Sequence, residues 1–253
     1  MIKYEFIDNK ADLERVTSIF ESEETIAVDL EADSMFHFRE KVCLIQMASK
    51  KLTVVIDPLE VEDLSILQPL FAKPSIRKIF HGGDYDVRSL HRDYQIEINN
   101  LFDTELASRF LGIQETGLSS VLSKRFGVKL DKSYQKKDWS KRPLPPQMIE
   151  YGASDVVYLL ELAEILDSEL KEKKRTAWVE EECELLSRVR VAESNASPLF
   201  LKIKGAGRLN RKALGTLELL LELRREIARK KDKPLFKVFA TSSPGRYCSQ
   251  AIF

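Results

Sequence analysis

The chain has 253 residues, and 43% of them are hydrophobic, which is enough to bury a sizeable core. Its 40 basic and 40 acidic residues balance, and no segment approaches eighteen uninterrupted apolar residues, which excludes an ordinary membrane-spanning helix. Because no apolar run precedes a small-residue cleavage site near Met1, we expect a soluble protein of the cytoplasm, or of the nucleus if the cell has one.

The first third of the chain predicts a sheet that begins with antiparallel strands. In chain order, the predicted elements are an opening strand, a helix at about residues 12–22, a strand around Asp29, strands at residues 42–48 and 52–57, a helix at residues 62–71 and a strand at residues 76–80. The three strands from Asp29 onward follow one another through short turns, which is typical of antiparallel pairing.

After residue 80 the pattern is mainly helical. The predicted helices are one that begins near Asp86, one at residues 118–126 that ends at Gly127, one that runs from about Gln147 past Leu166, one at residues 176–193 and one at residues 209–230. A polar linker at residues 194–208 therefore separates a larger domain, residues 1–193, from a short helical segment, residues 209–253.

The basic residues are not evenly spread. Residues 124–142 hold eight basic side chains and two acidic ones, and residues 201–237 hold twelve basic and four acidic ones. The rest of the chain is correspondingly acidic. A cationic track beside an acidic site is the distribution expected of a protein that binds nucleic acid, although a single lysine-rich run is more often a solvated face.

Acidic side chains recur at three places in this framework. Alternation along the second predicted strand puts Asp29 and Glu31 on one face, where they repel each other unless a cation lies between them. Asp86 lies in the first turn of a predicted helix. Tyr151 and Asp155 are four residues apart in the first turns of the helix that begins near Gln147, and they share one side of it. Together these residues indicate a two-metal site for phosphoryl transfer.

Each motif alone also has an ordinary explanation. Asp29 and Glu31 could lie on a solvated strand edge, and Asp86 would be favoured by the helix dipole at any helix start. Tyr151 and Asp155 could be a surface pair. The order of the motifs and the segments that connect them favour a common site instead.

As a set, these motifs resemble the ribonuclease D group of 3′-to-5′ exonucleases, in the branch whose third motif carries Tyr. The segments that carry the resemblance are Val28-Asp-Leu-Glu-Ala32, Leu44-Ile-Gln46, Phe80-His-Gly-Gly-Asp-Tyr-Asp86, Asp103-Thr-Glu-Leu-Ala107, Asp138-Trp-Ser-Lys-Arg-Pro-Leu144 and Tyr151-Gly-Ala-Ser-Asp155. The resemblance covers about residues 1–190. Residues 209–236 resemble the opening of a helicase-and-RNase-D C-terminal (HRDC) domain. The implied fold is α/β: a ribonuclease H-like mixed sheet flanked by helices, followed by a short all-α segment.

The second motif contains two acids, Asp84 and Asp86. In this family the acid follows the motif histidine by five residues, which selects Asp86 when counted from His81. Asp84 is expected to be a helix N-cap. His81 is expected to make structural hydrogen bonds rather than to act as a base.

The resemblance also implies a mechanism. Asp29, Glu31, Asp86 and Asp155 would bind two divalent ions, Mg²⁺ or Mn²⁺, about 4 Å apart, with Asp29 as the bridging ligand. Glu31 and Asp155 would complete the site of the attacking water, and Asp86 would hold the second ion. Tyr151 would orient that water, since a phenol with a pKa of about 10 is a poor base at neutral pH.

The implied function is a 3′-5′ exoribonuclease that releases nucleoside 5′-monophosphates from single-stranded RNA 3′ ends, in the processing of tRNA or other structured RNA. A DNA exonuclease of the same fold and a non-catalytic RNA-binding scaffold stay open, because the motifs do not settle how the sugar is read. Near the scissile unit we expect Leu30 with Met47 or Phe36. Tyr134 and Trp139 could stack on bases, although a core position for Trp139 is favoured.

Overall fold

The structure is a computed structural model that describes residues 2–191 and 198–239. Within these ranges the strands are β1 Glu5–Ile7, β2 Thr25–Ala32, β3 Val42–Ala48, β4 Thr53–Ile56, β5 Arg77–Phe80 and β6 Leu101–Asp103. The α-helices there are α1 Lys10–Phe20, α2 Leu67–Ala72, α3 Asp84–Tyr94, α4 Thr104–Phe110, α5 Leu118–Phe126, α6 Pro146–Val157, α7 Leu159–Glu172, α8 Thr176–Ser187 and α9 Arg211–Lys230. None of these helices combines the length and the apolar character needed to cross a lipid bilayer.

The strands form one mixed sheet in the order β1-β4-β3-β2-β5-β6. β2, β3 and β4 pair antiparallel, as their short connections predicted. β1 lies parallel to β4, and β5 and β6 extend the sheet parallel to β2. Helices flank the sheet, so the predicted mixed α/β architecture is confirmed. β2 therefore occupies a central position, with neighbours on both edges.

Helices α6 and α7 cover adjoining parts of the sheet. α6 packs on β2, β3 and β4, whereas α7 packs on β2 and β5. Alternation along β4 sends the side chain of Val55 to the α6 side, where it packs with Leu44 and Met148. Val54 and Ile56 belong to the larger core. Apolar packing thus fixes both the strand that carries Asp29 and Glu31 and the helix that carries Tyr151 and Asp155.

Three helix boundaries differ from the prediction. α2 begins at Leu67 rather than at residue 62, because Pro69 fits only in the first turn of a helix, and Asp63 accepts a turn hydrogen bond from the N–H of Ser65 instead. The helix predicted from Gln147 past Leu166 is divided at Tyr158, since its two halves pack on different strands. Asp155 therefore lies in the last turn of α6, not in its first turns.

The other differences lie further along the chain. α8 ends at Ser187 rather than at residue 193. Just beyond this end, the Arg190 guanidinium donates hydrogen bonds to the carbonyls of Ser187 and Val189. Strand β6 and helix α4 were not predicted, because three and seven residues give patterns that are too short.

The described residues divide into two compact units. The first contains residues 2–32 and 41–191, and the second contains residues 33–40 and 198–239. In the second unit the side chain of Asn210 caps α9, and Ala206 packs with apolar residues of that helix. The Glu218 carboxylate accepts hydrogen bonds from the N–H groups of Leu199 and Phe200. Residues 199–208, which the sequence suggested as linker, thus pack with α9.

Candidate active site

Four of the five proposed site residues line one cavity of the first unit. Asp29 and Glu31 project from β2, and Tyr151 and Asp155 project from α6, into a space of about 350 Å³. Asp86, the third residue of α3, is buried and close enough to Asp29 to interact with it electrostatically. The fold therefore brings all five residues together from three separate elements.

The carboxylates share an unfavourable electrostatic environment. Burial, followed by the charges of Asp29, Asp155 and Asp86, raises the pKa of Glu31 to about 10. Burial and then the charge of Asp29 raise the pKa of Asp155, and the pKa of Asp86 is raised by burial and by Asp29 in the same order. A cluster of this kind gains most from a cation that neutralises several carboxylates at once.

The carboxylate oxygens of the site are not arranged around a common point. Within residues 2–191 and 198–239, no group of three or more His, Cys, Asp or Glu side chains has an arrangement that could hold a metal ion as it stands. The donor set is nevertheless all oxygen, which suits hard Mg²⁺ or Mn²⁺. The residues fit such ions by chemistry and proximity, and coordination would require their side chains to turn.

Tyr151 remains a hydrogen-bond donor at neutral pH. Burial, followed by the charges of Asp155, Glu31 and Asp29, raises the pKa of the phenol above its ordinary value. Each cause disfavours the phenolate. The side chain can therefore orient a water molecule or an oxygen of the substrate, but it is unsuited to remove a proton.

Of the two acids in the second motif, Asp86 faces the site and Asp84 does not. Asp84 is exposed and pairs with Arg88 one turn later, at 2.8 Å between Oδ2 and Nε. The expectation that Asp84 is the N-cap is wrong: Gly83 occupies that position and Asp84 is the first residue of α3. The turn before α3 is held by another carboxylate, which accepts hydrogen bonds from two of its N–H groups.

That carboxylate belongs to Asp103, which begins one of the segments that carry the family resemblance but to which the sequence assigned no role. Asp103 is fully buried and accepts hydrogen bonds from the backbone N–H groups of Gly82 at 3.1 Å and Gly83 at 2.7 Å. It also caps α4 through the N–H groups of Glu105 and Leu106. Asp103 thereby fixes the turn from which α3 carries Asp86 to the site. An Asp followed by Thr-Glu is an ordinary helix-start signal that could have revealed the cap, but not its second partner.

His81 also lines the cavity, and its ring is held by a hydrogen bond with Thr104, which does not line the cavity. Its Nδ1 lies 2.9 Å from Oγ1 of Thr104, which in turn lies 2.9 Å from the carbonyl oxygen of Phe80. Burial lowers the pKa of His81, which favours the neutral ring. The predicted structural hydrogen bond is confirmed.

Gly152 permits the close approach of α6 to the sheet. A Cβ atom at this position would lie 2.8 Å from Nε2 of Gln46, a fully buried side chain on β3. Gln46 is the cross-strand partner of Asp29. The glycine between Tyr151 and Asp155 therefore sets the distance between the two elements that carry most of the site.

The apolar candidates near the scissile unit fall in different places. Trp139 is buried and packs against Tyr151, with ring centroids 6.0 Å apart, so the favoured core position is confirmed. Tyr134 packs on the same phenol at 5.8 Å. Met47 is fully buried and cannot contact a substrate, and Phe36 belongs to the second unit. Leu30 lines the cavity.

Part of the basic track has acidic partners within the protein. Lys124, Arg125 and Arg142 form ion pairs with Glu115, Glu169 and Asp57 respectively. The lysines of the segment between α5 and α6, residues 127–145 and here called the connector, are exposed, and one of them lines the cavity. They are Lys129, Lys132, Lys136, Lys137 and Lys141, of which Lys132 is the lining residue. The cationic surface beside the site is thus narrower than the sequence count implied.

Known proteins share the sequence pattern of this chain. Residues 4–171 match the family model described as 3′-5′ exonuclease. Ribonuclease D of Haemophilus influenzae is 31% identical over 231 residues, which are 90% of this chain and 58% of that protein. The exosome complex component 10 homolog of Caenorhabditis elegans is 39% identical over 165 residues, 65% of this chain and 19% of that protein. The chain spans only about a fifth of the length of such longer relatives.

Solved structures share the fold. The catalytic core of RRP6 from Trypanosoma brucei superposes with a TM-score of 0.85 and 29% identity, covering 99% of this chain and 71% of that one. RNase D of Escherichia coli, an exoribonuclease involved in structured RNA processing, has a TM-score of 0.79 and 27% identity, covering 98% of this chain and 66% of that one. Brucella melitensis NrnC with bound Mg²⁺ has a TM-score of 0.63 and 25% identity, covering 74% of this chain and 90% of that one. The chain belongs to the 3′-5′ exonuclease family, as the resemblance of its motifs to ribonuclease D predicted.

Proposed function

We propose that this protein is a 3′-5′ exoribonuclease that hydrolyses the terminal phosphodiester of an RNA strand and releases nucleoside 5′-monophosphates. The observation that carries the proposal is the cluster of four mutually destabilising carboxylates from β2, α3 and α6, three of which line the cavity together with the protonated Tyr151. Buried like charges cost stability, and their retention beside a cavity is typical of a catalytic site.

Asp29, Glu31, Asp86 and Asp155 are the proposed ligands of two divalent ions. When bound, such ions stabilise the attacking and leaving oxygens of an in-line displacement. The Mg²⁺ in the NrnC structure supports this choice of metal, and the all-oxygen donor set favours Mg²⁺ or Mn²⁺ over softer ions. Tyr151 donates its hydroxyl proton in a hydrogen bond and so orients the attacking water.

RNA is the proposed substrate because the relatives named above include ribonuclease D and an exoribonuclease of structured RNA. Processing of tRNA or of other structured RNA 3′ ends is the corresponding cellular role. The exposed lysines of the connector, among them Lys132 at the cavity, would attract the phosphates on the 5′ side of the scissile bond. A cytoplasmic location stays a prediction from the sequence.

The same proposal extends to the domain organisation: residues 1–193 as the exonuclease domain, residues 194–208 as linker and residues 209–253 as a partial HRDC-like segment. The division of the described residues after residue 191 supports a boundary there. The packing of residues 199–208 with α9 argues for moving the start of the second module toward residue 199. Residues 240–253 of that segment lie outside the described residues.

The test is a time course with matched 3′-labelled RNA and DNA strands in the presence of Mg²⁺ or Mn²⁺. We expect mononucleotide release from RNA, abolition by chelation, and a loss of at least about 100-fold in Asp29→Asn and Asp86→Asn. Unchanged release by these variants would overturn the two-metal site. Release from DNA alone would favour a DNA exonuclease, and tight RNA binding without any release would favour a scaffold.

A further inference from the structure

The side chain of Arg142 uses all five of its N–H donors inside the protein. Its Nε and Nη2 donate to the two carboxylate oxygens of Asp57, both at 2.5 Å. Nη2 also donates to the carbonyl of Cys43 at 2.9 Å. Nη1 donates to the carbonyls of Trp139 and Lys141, each at 2.8 Å. A guanidinium has no further donors, so this hydrogen-bond set is complete.

These bonds join the connector between α5 and α6 to two strands. Asp57 directly follows β4, has only 1% of its surface exposed, and is itself held by the N–H of Leu59 at 3.0 Å. Cys43 lies on β3. Trp139 and Arg142 belong to the connector. The ion pair therefore holds a segment without regular secondary structure against two interior strands of the sheet, as a bidentate arginine can.

The connector, once held, supports the phenol of Tyr151. Trp139 has 1% of its surface exposed and packs with Leu44 and Val55 of the sheet. Its ring lies 6.0 Å from that of Tyr151 at an interplanar angle of 37°, and Tyr134 approaches the same phenol at 5.8 Å and 59°. Tyr151 thus contacts two aromatic rings from the segment that Arg142 anchors.

We propose that Arg142, together with Asp57, is a positioning residue for Tyr151: the pair anchors the connector, the connector places Trp139 and Tyr134, and these rings fix the phenol at the cavity. This role depends on the proposed function, in which Tyr151 orients the attacking water. Arg142 itself does not touch the reacting atoms.

The chemistry of the contact requires arginine. A lysine could place its ammonium near Asp57, but its three donors cannot reach a carboxylate, Cys43 and Trp139 in the planar, forked geometry of the guanidinium. Arg142→Lys keeps the charge and much of the length while it removes most of the hydrogen bonds that hold the connector together and against the sheet. This variant therefore preserves the positive charge but should disturb the position of the connector.

The experiment is a double-mutant cycle on kcat for RNA hydrolysis with Arg142→Lys and Tyr151→Phe. A displacement of about 1 Å at a reacting group can lower turnover by up to about 100-fold, so we expect Arg142→Lys to reduce kcat by about 10- to 100-fold. In the Tyr151→Phe background, where no hydroxyl needs placement, the same substitution should change kcat by less than about threefold. Equal losses in both backgrounds would overturn the proposal.

Arg125→Lys is the matched control. Arg125 forms a comparable bidentate pair with Glu169, between α5 and α7 and outside the network described above. We expect it to lower thermal stability without the coupling to Tyr151. If Arg142→Lys fails to fold, Asp57→Asn, which retains one acceptor oxygen, takes its place in the cycle.

A fluorescence measurement tests the anchor without any activity. In a Trp178→Phe background the remaining tryptophan is Trp139, whose burial predicts weak quenching by acrylamide. Arg142→Lys should increase that quenching, whereas Arg125→Lys should not. Unchanged quenching would overturn the anchor. A wild-type protein that hydrolyses neither RNA nor DNA would instead overturn the proposed function, and with it the catalytic consequence of the anchor.

Discussion

The carboxylate of Asp103 holds the turn that begins α3: its Oδ2 accepts a 2.7 Å hydrogen bond from the N–H of Gly83. Its other oxygen binds the N–H of Gly82 and two N–H groups at the start of α4. One buried side chain thus satisfies backbone donors of two helix starts that are far apart in sequence. The position of Asp86 depends on it, because Asp86 lies in the first turn of α3.

Asp103→Ala should therefore destabilise the first unit and also weaken activity. Loss of a charged cap for four backbone N–H groups should lower the free energy of unfolding by about 2–4 kcal/mol. Asp63→Ala is the control, because the exposed Asp63 accepts hydrogen bonds only within a surface turn, from the N–H and the side chain of Ser65, and its loss should cost less than about 1 kcal/mol. Urea denaturation followed by circular dichroism measures both. Equal costs would mean that the Asp103 network carries little stability.

Asp86→Asn and Asp84→Asn form a pair that separates the two acids of the second motif. Asp86 is buried beside Asp29, whereas Asp84 is exposed and makes only a surface pair with Arg88. We expect Asp84→Asn to retain activity within about twofold, since an exposed pair one turn apart contributes about 0.3–0.5 kcal/mol. Asp86→Asn should abolish turnover. The reverse result in single-turnover assays would show that the second motif has been assigned to the wrong acid.

Gly152→Ala should push α6 away from β3. The new Cβ would lie 2.8 Å from Nε2 of Gln46, a fully buried side chain that would have to shift to accommodate it. We expect a loss of about 1–3 kcal/mol in stability, as for overpacking in a core, and a fall in kcat. Gly215→Ala in α9 is the control, because nothing lies within 4 Å of its added Cβ and the change should be neutral or stabilising. A stable, fully active Gly152→Ala would contradict the close approach.

The metal-free protein should lose stability as the pH rises. Burial raises the pKa of Asp29 to about 6 and that of Asp155, with the charge of Asp29, to about 8. Each carboxyl group therefore favours the folded state fully only below its unfolded pKa of about 4, and this contribution is lost as the pH rises through the folded pKa.

Differential scanning fluorimetry in chelator between pH 5 and 7.5 would measure this loss. We expect Asp29→Asn to reduce the fall in Tm relative to wild type, because an amide does not ionise. Millimolar Mn²⁺ should raise the wild-type Tm most at the upper end of the range, where the carboxylates are charged. A wild-type Tm that rises over this range as steeply as that of Asp29→Asn would show that the site carboxylates are not destabilising.

The sequence alone predicted much of the fold because its signals are local. Alternation identified β2, β3 and β4, short turns indicated their antiparallel order, and apolar periodicity located most helices. It could not predict β6, whose three residues acquire their conformation from pairing with β5. It also could not predict the break at Tyr158, because α6 and α7 follow different strands of a sheet that exists only in the folded chain.

For the candidate site, the sequence supplied the residue types, and the tertiary structure supplied their relations. The spacing of Asp29, Glu31, Asp86, Tyr151 and Asp155 sufficed to propose a set of ligands and a phenol, since family motifs record which side chains the chemistry needs. The four backbone contacts of Asp103 and the five donors of Arg142 join segments that are distant in sequence, so they depend on distances that arise only when the sheet assembles. The strength of the repulsion among the four carboxylates also depends on the tertiary structure, because burial and proximity set their pKa values.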